Sequence, residues 1–180
     1  MGLEVWAYCL MTNHVHWVVV PPAAEALGRA MRVLNSQYTA GVNRRQGFSG
    51  HLWQGRFYST PLDETHLWTA VRYVECNPVR AGRVEQAWQY PWSSAAAHCG
   101  LRRDSLLKGS LETLGSVTDW QAFLRDVDDT AERKLRQCTG TGRPCGGPAF
   151  LDKLEGLLGR SLRPAKRGPK PRGNLAQKNE

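Results

Sequence analysis

Two short apolar segments near the start of the chain constrain its fold more than any other feature. Residues 5–11 (VWAYCLM) and 14–20 (HVHWVVV) are rich in valine and aromatic residues, a pattern that predicts two β-strands. Thr12 and Asn13 separate the two segments, and the prolines at 21–22 end the second one, because proline cannot donate a ladder hydrogen bond. The chain is therefore predicted to contain a β-sheet that includes these residues.

The second segment carries two histidines at alternate positions. Because alternate side chains of a strand point to the same face, His14 and His16 are expected to project together. Two neutral imidazoles on one strand face form half of a site for a divalent metal ion. The alternative is that both are ordinary polar residues on a solvated face. Val18 and Val20 share that face, which argues against the alternative.

Beyond the prolines the pattern becomes mostly helical. Apolar residues recur every three or four positions over 24–45, and this spacing places Tyr38 on the apolar stripe, where packing is its favoured role. Residues 51–62 (HLWQGRFYSTPL) alternate enough to predict a further strand. A longer helix is predicted over 118–137 with Thr118 as its N-cap. Turns and short helices are predicted over 78–100, and another short helix over 148–159.

The most informative helix is predicted over about residues 64–77, with Asp63 as its N-cap and an end near Asn77, which precedes a proline. A second stripe of this helix, at positions i, i+4 and i+8, carries Thr69, Tyr73 and Asn77. A phenol and a carboxamide thus stand one turn apart, off the core face. Each has an ordinary alternative, packing for Tyr73 and a helix end for Asn77. The stripe that predicts the core face consists of Leu67, Ala70, Val71 and Val74.

The charge of the chain indicates which classes of partner it is suited to bind. A net charge of +8 and a sequence pI of about 9.6 point to polyanions, nucleic acid first and an anionic membrane surface second. No apolar run approaches the ~20 residues that span a bilayer, and the opening MGLEVWAYCL lacks the pattern of a signal peptide. The five cysteines fit neither a disulfide framework nor a zinc site, so free thiols in the cytoplasm are expected.

Several spaced motifs resemble one family. The segments AYCLMTNHVHWVVVPP, GHLWQGRFYST, RYVECNPVRAG and YPWSSAAAH occur in this order. Together they resemble the single-tyrosine HUH transposases, and more closely the branch of REP-associated tyrosine transposases, over roughly residues 5–98. The resemblance implies an α+β fold with a ferredoxin-like antiparallel sheet, flanking helices and a helical C-terminal extension. Family members carry more residues before the histidine strand, so the chain resembles an N-terminally truncated member whose first strand and helix are missing.

The same resemblance implies roles for four residues. His14, His16 and Asn77 would hold a divalent cation, Mg²⁺ or Mn²⁺, and Tyr73 would be the nucleophile. A tyrosine that attacks a phosphodiester forms a 5′-phosphotyrosine link and frees a 3′-OH, so that rejoining needs no ATP. The predicted function is metal-dependent cleavage and rejoining of single-stranded DNA near hairpins. Tyr38 is the rival nucleophile.

The predicted domain organisation is a partial transposase domain over 1–100, a helical extension over 101–159 and a basic tail, disordered when free, over 160–180. The tail is expected to add sequence-independent DNA affinity that falls with salt. An alternative is a catalytically inactive remnant that only binds single-stranded DNA. A structural metal site in a protein that never meets DNA is a third hypothesis, which the net charge disfavours. The candidate DNA-binding side chains are Arg44, Arg45, Arg56, Arg72, Arg80, Lys166, Arg167, Lys170 and Arg172.

Overall fold

The computed structural model describes residues 2–108 and 117–164. Within these ranges the chain is an α+β structure with a two-stranded antiparallel sheet, which confirms the predicted class. None of the described helices combines the length and apolar character needed to cross a membrane. All five cysteines are free thiols, as predicted. The elements are β1 (Glu4–Leu10), β2 (Val15–Val20), α1 (Ala26–Gln46), α2 (Glu64–Glu75), α3 (Asn77–Arg80), a 3-10 turn (Ala87–Gln89), α4 (Ala95–His98), α5 (Trp120–Arg125), α6 (Asp129–Thr141) and α7 (Pro148–Leu158).

Both strands predicted at the start of the chain are present, and they form a hairpin. Cys9 of β1 lies opposite His16 of β2. The Met11 N–H donates a hydrogen bond of 2.9 Å to the His14 carbonyl, which closes the connection through residues 12–13. The hairpin therefore places His14 just before β2 and His16 within it.

The other edge of β1 is covered by the segment that follows the 3-10 turn. The Leu10 N–H donates to the Trp92 carbonyl at 2.8 Å, and the Ser94 N–H donates to the Tyr8 carbonyl at 3.0 Å. β1 thus lies between β2 and this irregular segment, which satisfies backbone groups that an open edge would leave unpaired.

Helix α2 packs on the hairpin through the predicted apolar stripe. Val71 is fully buried, and its stripe neighbours on α2 are all less than a tenth exposed. Leu135 of α6 belongs to the same buried cluster, and Leu124 of α5 packs with Cys76 just beyond the end of α2. The larger cluster consists of Ala7, Cys9, Val18, Leu67, Ala70, Val71, Val74, Leu135 and Cys145.

Asp63 begins α2 in the way the sequence predicts. Its Oδ1 accepts a hydrogen bond of 2.8 Å from the His66 N–H, and its Oδ2 accepts one of 2.7 Å from the Gly147 N–H. Partial burial by itself raises the pKa of the Asp63 carboxyl. The hydrogen bonds from the two backbone N–H groups and the His66 ring outweigh burial and hold the pKa below its usual value.

Replacing Asp63 with alanine is expected to lower the free energy of unfolding by about 1–2 kcal/mol at neutral pH, because an N-cap and a tie to the start of α7 are lost. Since the folded pKa is depressed, this stabilisation is present above the unfolded pKa and is lost as pH falls through the folded pKa. Urea unfolding of both proteins from neutral to acid pH measures the difference. Glu25→Ala, at an exposed ion pair, is the control. If the difference in the free energy of unfolding between wild type and Asp63→Ala does not decrease at acid pH, the expectation is contradicted.

The strand predicted over 51–62 is wrong. Among the described residues, this segment forms a single β-bridge, from Leu62 to Cys145, and the rest is bends and irregular chain. Most of its side chains are exposed. Alternating residues form a strand only where a neighbouring strand accepts their hydrogen bonds, and Gly55 and Pro61 further weaken the tendency.

The single helix predicted over 118–137 is also wrong. Asp119, not Thr118, caps α5, and the chain leaves helical geometry after Arg125. Asp128 then caps α6 by accepting hydrogen bonds from the Thr130 and Ala131 N–H groups. Aspartate side chains compete for nearby backbone N–H groups, which favours a new helix start over continuation of the first helix.

Helix α1 matches its predicted range but not the predicted burial. None of its residues is buried, and Tyr38 is 51 % exposed. The Tyr38 ring lies 5.6 Å from the Trp53 ring, centroid to centroid. Tyr38 thus packs against Trp53, which agrees with its predicted packing role, but the stripe that carries it is not buried, because a stripe of apolar residues is buried only where another element covers it.

Candidate active site

The two histidines lie side by side, as strand alternation predicts. Their ring centroids are 4.9 Å apart and the rings are nearly perpendicular. The Nδ1 of His14 lies 2.7 Å from Oδ1 of Asn13. Because an amide oxygen only accepts, Nδ1 of His14 is the donor in this contact, and in the neutral form of the ring the lone pair is then on Nε2. Asn13 was not among the predicted site residues. An amide side chain directly before a candidate ligand histidine is the sequence signal that could have predicted this contact.

His16 is held in the neutral form. Burial, with smaller contributions from His14 and Arg80, lowers the pKa of His16 to about 4. An imidazole binds a metal ion through the lone pair of its neutral form. At neutral pH His16 is therefore in the state that a ligand requires.

Helix α2 brings Tyr73 to the histidines. The centroid of its ring lies 5.7 Å from that of His16, in an edge-to-face arrangement. Tyr73 is half-buried, while Val71 and Val74 beside it face the core. The apolar stripe of α2 faces the core, as predicted. Tyr73 lies on the other stripe, and its phenol therefore faces the histidine of β2.

Asn77 lies just beyond α2, because the helix ends at Glu75 and Cys76 takes a non-helical conformation. It starts the short helix α3, in which Pro78 occupies a position where its missing N–H costs nothing. The residue is 9 % exposed. Its role as a ligand remains a prediction.

The donor set suits a divalent cation that also binds substrate oxygens. The described residues contain no cluster of three or more histidine, cysteine or acidic side chains. The two imidazoles, with Asn77 as the predicted third ligand, would supply nitrogen and oxygen donors but not a closed cage, which would leave positions for phosphate oxygens. A site for Mg²⁺ or Mn²⁺ held by His14, His16 and Asn77 remains a prediction.

Two arginines approach the Tyr73 ring. The guanidinium carbon of Arg80 lies 4.1 Å from the ring centroid and that of Arg136 lies 6.0 Å from it. Arg80 also pairs with Glu132, Nη1 to Oε1, at 3.0 Å. Arg136 and Glu132 were missed in the sequence, because both belong to α6 and no local motif connects them with Tyr73.

The other predicted DNA-binding residues lie in different surroundings. Arg72 is only 9 % exposed; its guanidinium lies over the Phe123 ring at 5.2 Å and 3.6 Å from an Asp126 carboxylate oxygen. Arg44 and Arg45 are exposed in the last turn of α1, and Arg56 is exposed in the irregular segment after it. Their contacts with DNA remain predictions. The remaining four candidates, Lys166, Arg167, Lys170 and Arg172, lie outside the described residues.

A buried polar cluster connects the end of α2 to neighbouring helices. This cluster was not predicted from the sequence. The carboxylate of Glu75 is fully buried. It accepts hydrogen bonds from the Ser94 hydroxyl and, at 2.8 Å, from the Trp120 indole N–H, and it lies 2.6 Å from His98 Nδ1. These contacts connect α2, two residues after Tyr73, to α4 and α5.

Comparisons with known proteins give one match. No curated protein and no solved structure matches the chain. The family model described as "Transposase IS200 like" matches residues 1–77. The matched segment is 77 of the 180 residues of the chain. The part of the chain that contains His14, His16, Tyr73 and Asn77 is thus similar to the IS200-like transposases.

Proposed function

We propose that the protein is a metal-dependent transposase that cleaves and rejoins single-stranded DNA through a 5′-phosphotyrosine intermediate. The observation that carries the proposal is the contact of Tyr73 with His16, which itself lies beside His14. A phenol from α2 and two imidazoles from the hairpin lie together. All of them belong to the segment that is similar to a transposase family.

The roles follow from the chemistry of each side chain. The Tyr73 oxygen attacks the scissile phosphorus, and the energy of the broken bond is kept in the new ester. His14, His16 and Asn77 would hold Mg²⁺ or Mn²⁺, which when bound neutralises charge on the phosphate. An ordinary phenol is mostly protonated at neutral pH, so attack requires the phenolic proton to leave as the bond to phosphorus forms.

The substrate class follows from the charge and from the family resemblance. A net charge of +8 suits a polyanion, and DNA is the substrate that a transposase requires. Single-stranded DNA next to a hairpin is the expectation carried over from the REP-associated branch, and the five free thiols favour action in the cytoplasm.

The proposal is tested by a covalent adduct. Labelled single-stranded hairpin DNA is incubated with the protein and Mn²⁺, and the products are separated on a denaturing protein gel. We expect a labelled band at the mass of protein plus DNA fragment, and we expect a chelator to abolish it. Binding of the DNA without any adduct, with Mn²⁺ or Mg²⁺, would contradict the proposal and favour a binding protein without catalysis.

A further inference from the structure

Arg136 is the arginine near Tyr73 whose guanidinium has no assigned role. It lies on α6, its side chain is exposed, and its guanidinium carbon is 6.0 Å from the centre of the Tyr73 ring. It forms no ion pair with any residue in the described part of the chain. A guanidinium with free donors beside a nucleophile is suited to bind a phosphate.

The guanidinium of Arg80, in contrast, already has partners within the protein. Its Nη1 pairs with Glu132, its Nη2 donates to the Tyr73 backbone carbonyl, and its guanidinium lies over the Tyr73 ring. The Glu132 side chain is only 1 % exposed, so the carboxylate of this pair is shielded from water, while the Arg80 side chain is 27 % exposed. Arg80 therefore acts as a positioning residue that holds Tyr73 against α6.

The packing of α6 explains why Arg136 reaches this place. Leu135 and Glu132 are both buried, which turns one face of α6 toward α2 and α3. Arg136 stands one turn after Glu132 on the same side of the helix. The packing of α6 that brings Glu132 to Arg80 therefore also brings the Arg136 guanidinium toward the Tyr73 ring. This helix lies outside residues 1–77, the segment that matches the family model.

We propose that Arg136 binds a non-bridging oxygen of the scissile phosphate during attack by Tyr73, an inference that rests on the proposed function. In this step the phenolic oxygen forms a bond to phosphorus and the bond from phosphorus to the 3′ oxygen breaks. The phenolic proton passes to solvent, and the departing 3′ oxygen takes up a proton. Charge on the non-bridging oxygens is stabilised by the two parallel N–H donors of a guanidinium.

The test compares two DNA substrates at saturating concentration. One has an ordinary scissile phosphodiester and the other has a methylphosphonate there, which replaces a charged oxygen with a methyl group. We expect Arg136→Ala to slow adduct formation by about 100-fold on the phosphodiester, the size typical of losing one transition-state donor. On the methylphosphonate the loss should shrink to a few-fold, because there is no charged oxygen to bind. Added guanidinium ion should partly restore the rate of the variant on the phosphodiester.

The matched control is Arg133→Ala. Arg133 is exposed on the same helix, and within the described ranges its guanidinium donates only to neighbours in sequence, the Asp129 carbonyl and the Thr130 hydroxyl. It should leave both rates near wild type. An unchanged rate in Arg136→Ala, or an equal loss on both substrates, would overturn the inference while the wild-type adduct still supports the proposed function. A wild type that forms no adduct on the phosphodiester would overturn the proposed function and this inference with it.

Discussion

A Tyr73→Phe variant is expected to form no covalent adduct with single-stranded hairpin DNA, while it still binds that DNA. The variant lacks only the oxygen that would attack the phosphorus. The Tyr73 ring contacts His16 edge to face, and the guanidinium of Arg80 lies over the ring. Both contacts involve the aromatic ring, which phenylalanine retains. Removing a nucleophile abolishes the covalent route, so the loss should reach the detection limit of a denaturing gel. A filter-binding or gel-shift measurement shows that DNA binding persists.

Tyr38→Phe is the matched control for this prediction. Tyr38 lies on α1, is half exposed and contacts Trp53 rather than a histidine. The control should form the adduct at the wild-type rate. An adduct that persists in Tyr73→Phe and disappears in Tyr38→Phe would reverse the assignment of the nucleophile.

Replacing Glu75 with alanine is expected to lower the free energy of unfolding by about 3–5 kcal/mol, the loss typical when one partner of a buried charged network is removed. The substitution leaves the Trp120 indole N–H, the His98 ring and the Ser94 hydroxyl without their shared acceptor. Chemical denaturation by urea measures the change. Glu75→Gln should cost less, because the amide keeps one oxygen that can accept.

Glu85→Ala serves as the control for the effect of removing an acidic side chain. Glu85 is exposed, so its removal should change stability by no more than about 0.5 kcal/mol. A loss below about 1 kcal/mol in Glu75→Ala would show that the cluster does not hold α2 to α4 and α5.

Local patterns predicted the elements that carry the site. The alternation of the valine-rich segment correctly placed His14 and His16 together, because side-chain direction in a strand depends only on the backbone. Asp63 correctly predicted the start of α2, since an N-cap is a contact between neighbours in sequence. The same kind of reasoning failed over 51–62, where strand formation depends on a partner that the local sequence does not contain.

What the sequence by itself determined is the chemistry of the candidate site: two imidazoles on one strand face, and a phenol on the polar stripe of a helix. These are short-range properties, since periods of two and of 3.6 residues follow from backbone geometry. Only the tertiary structure decided that Tyr73 faces His16, that Glu75 ties α2 to α4 and α5, and that α6 supplies Arg136. Those contacts join residues far apart in the chain, and the burial of apolar faces that creates them is non-directional, so no local pattern specifies which side chains it brings together.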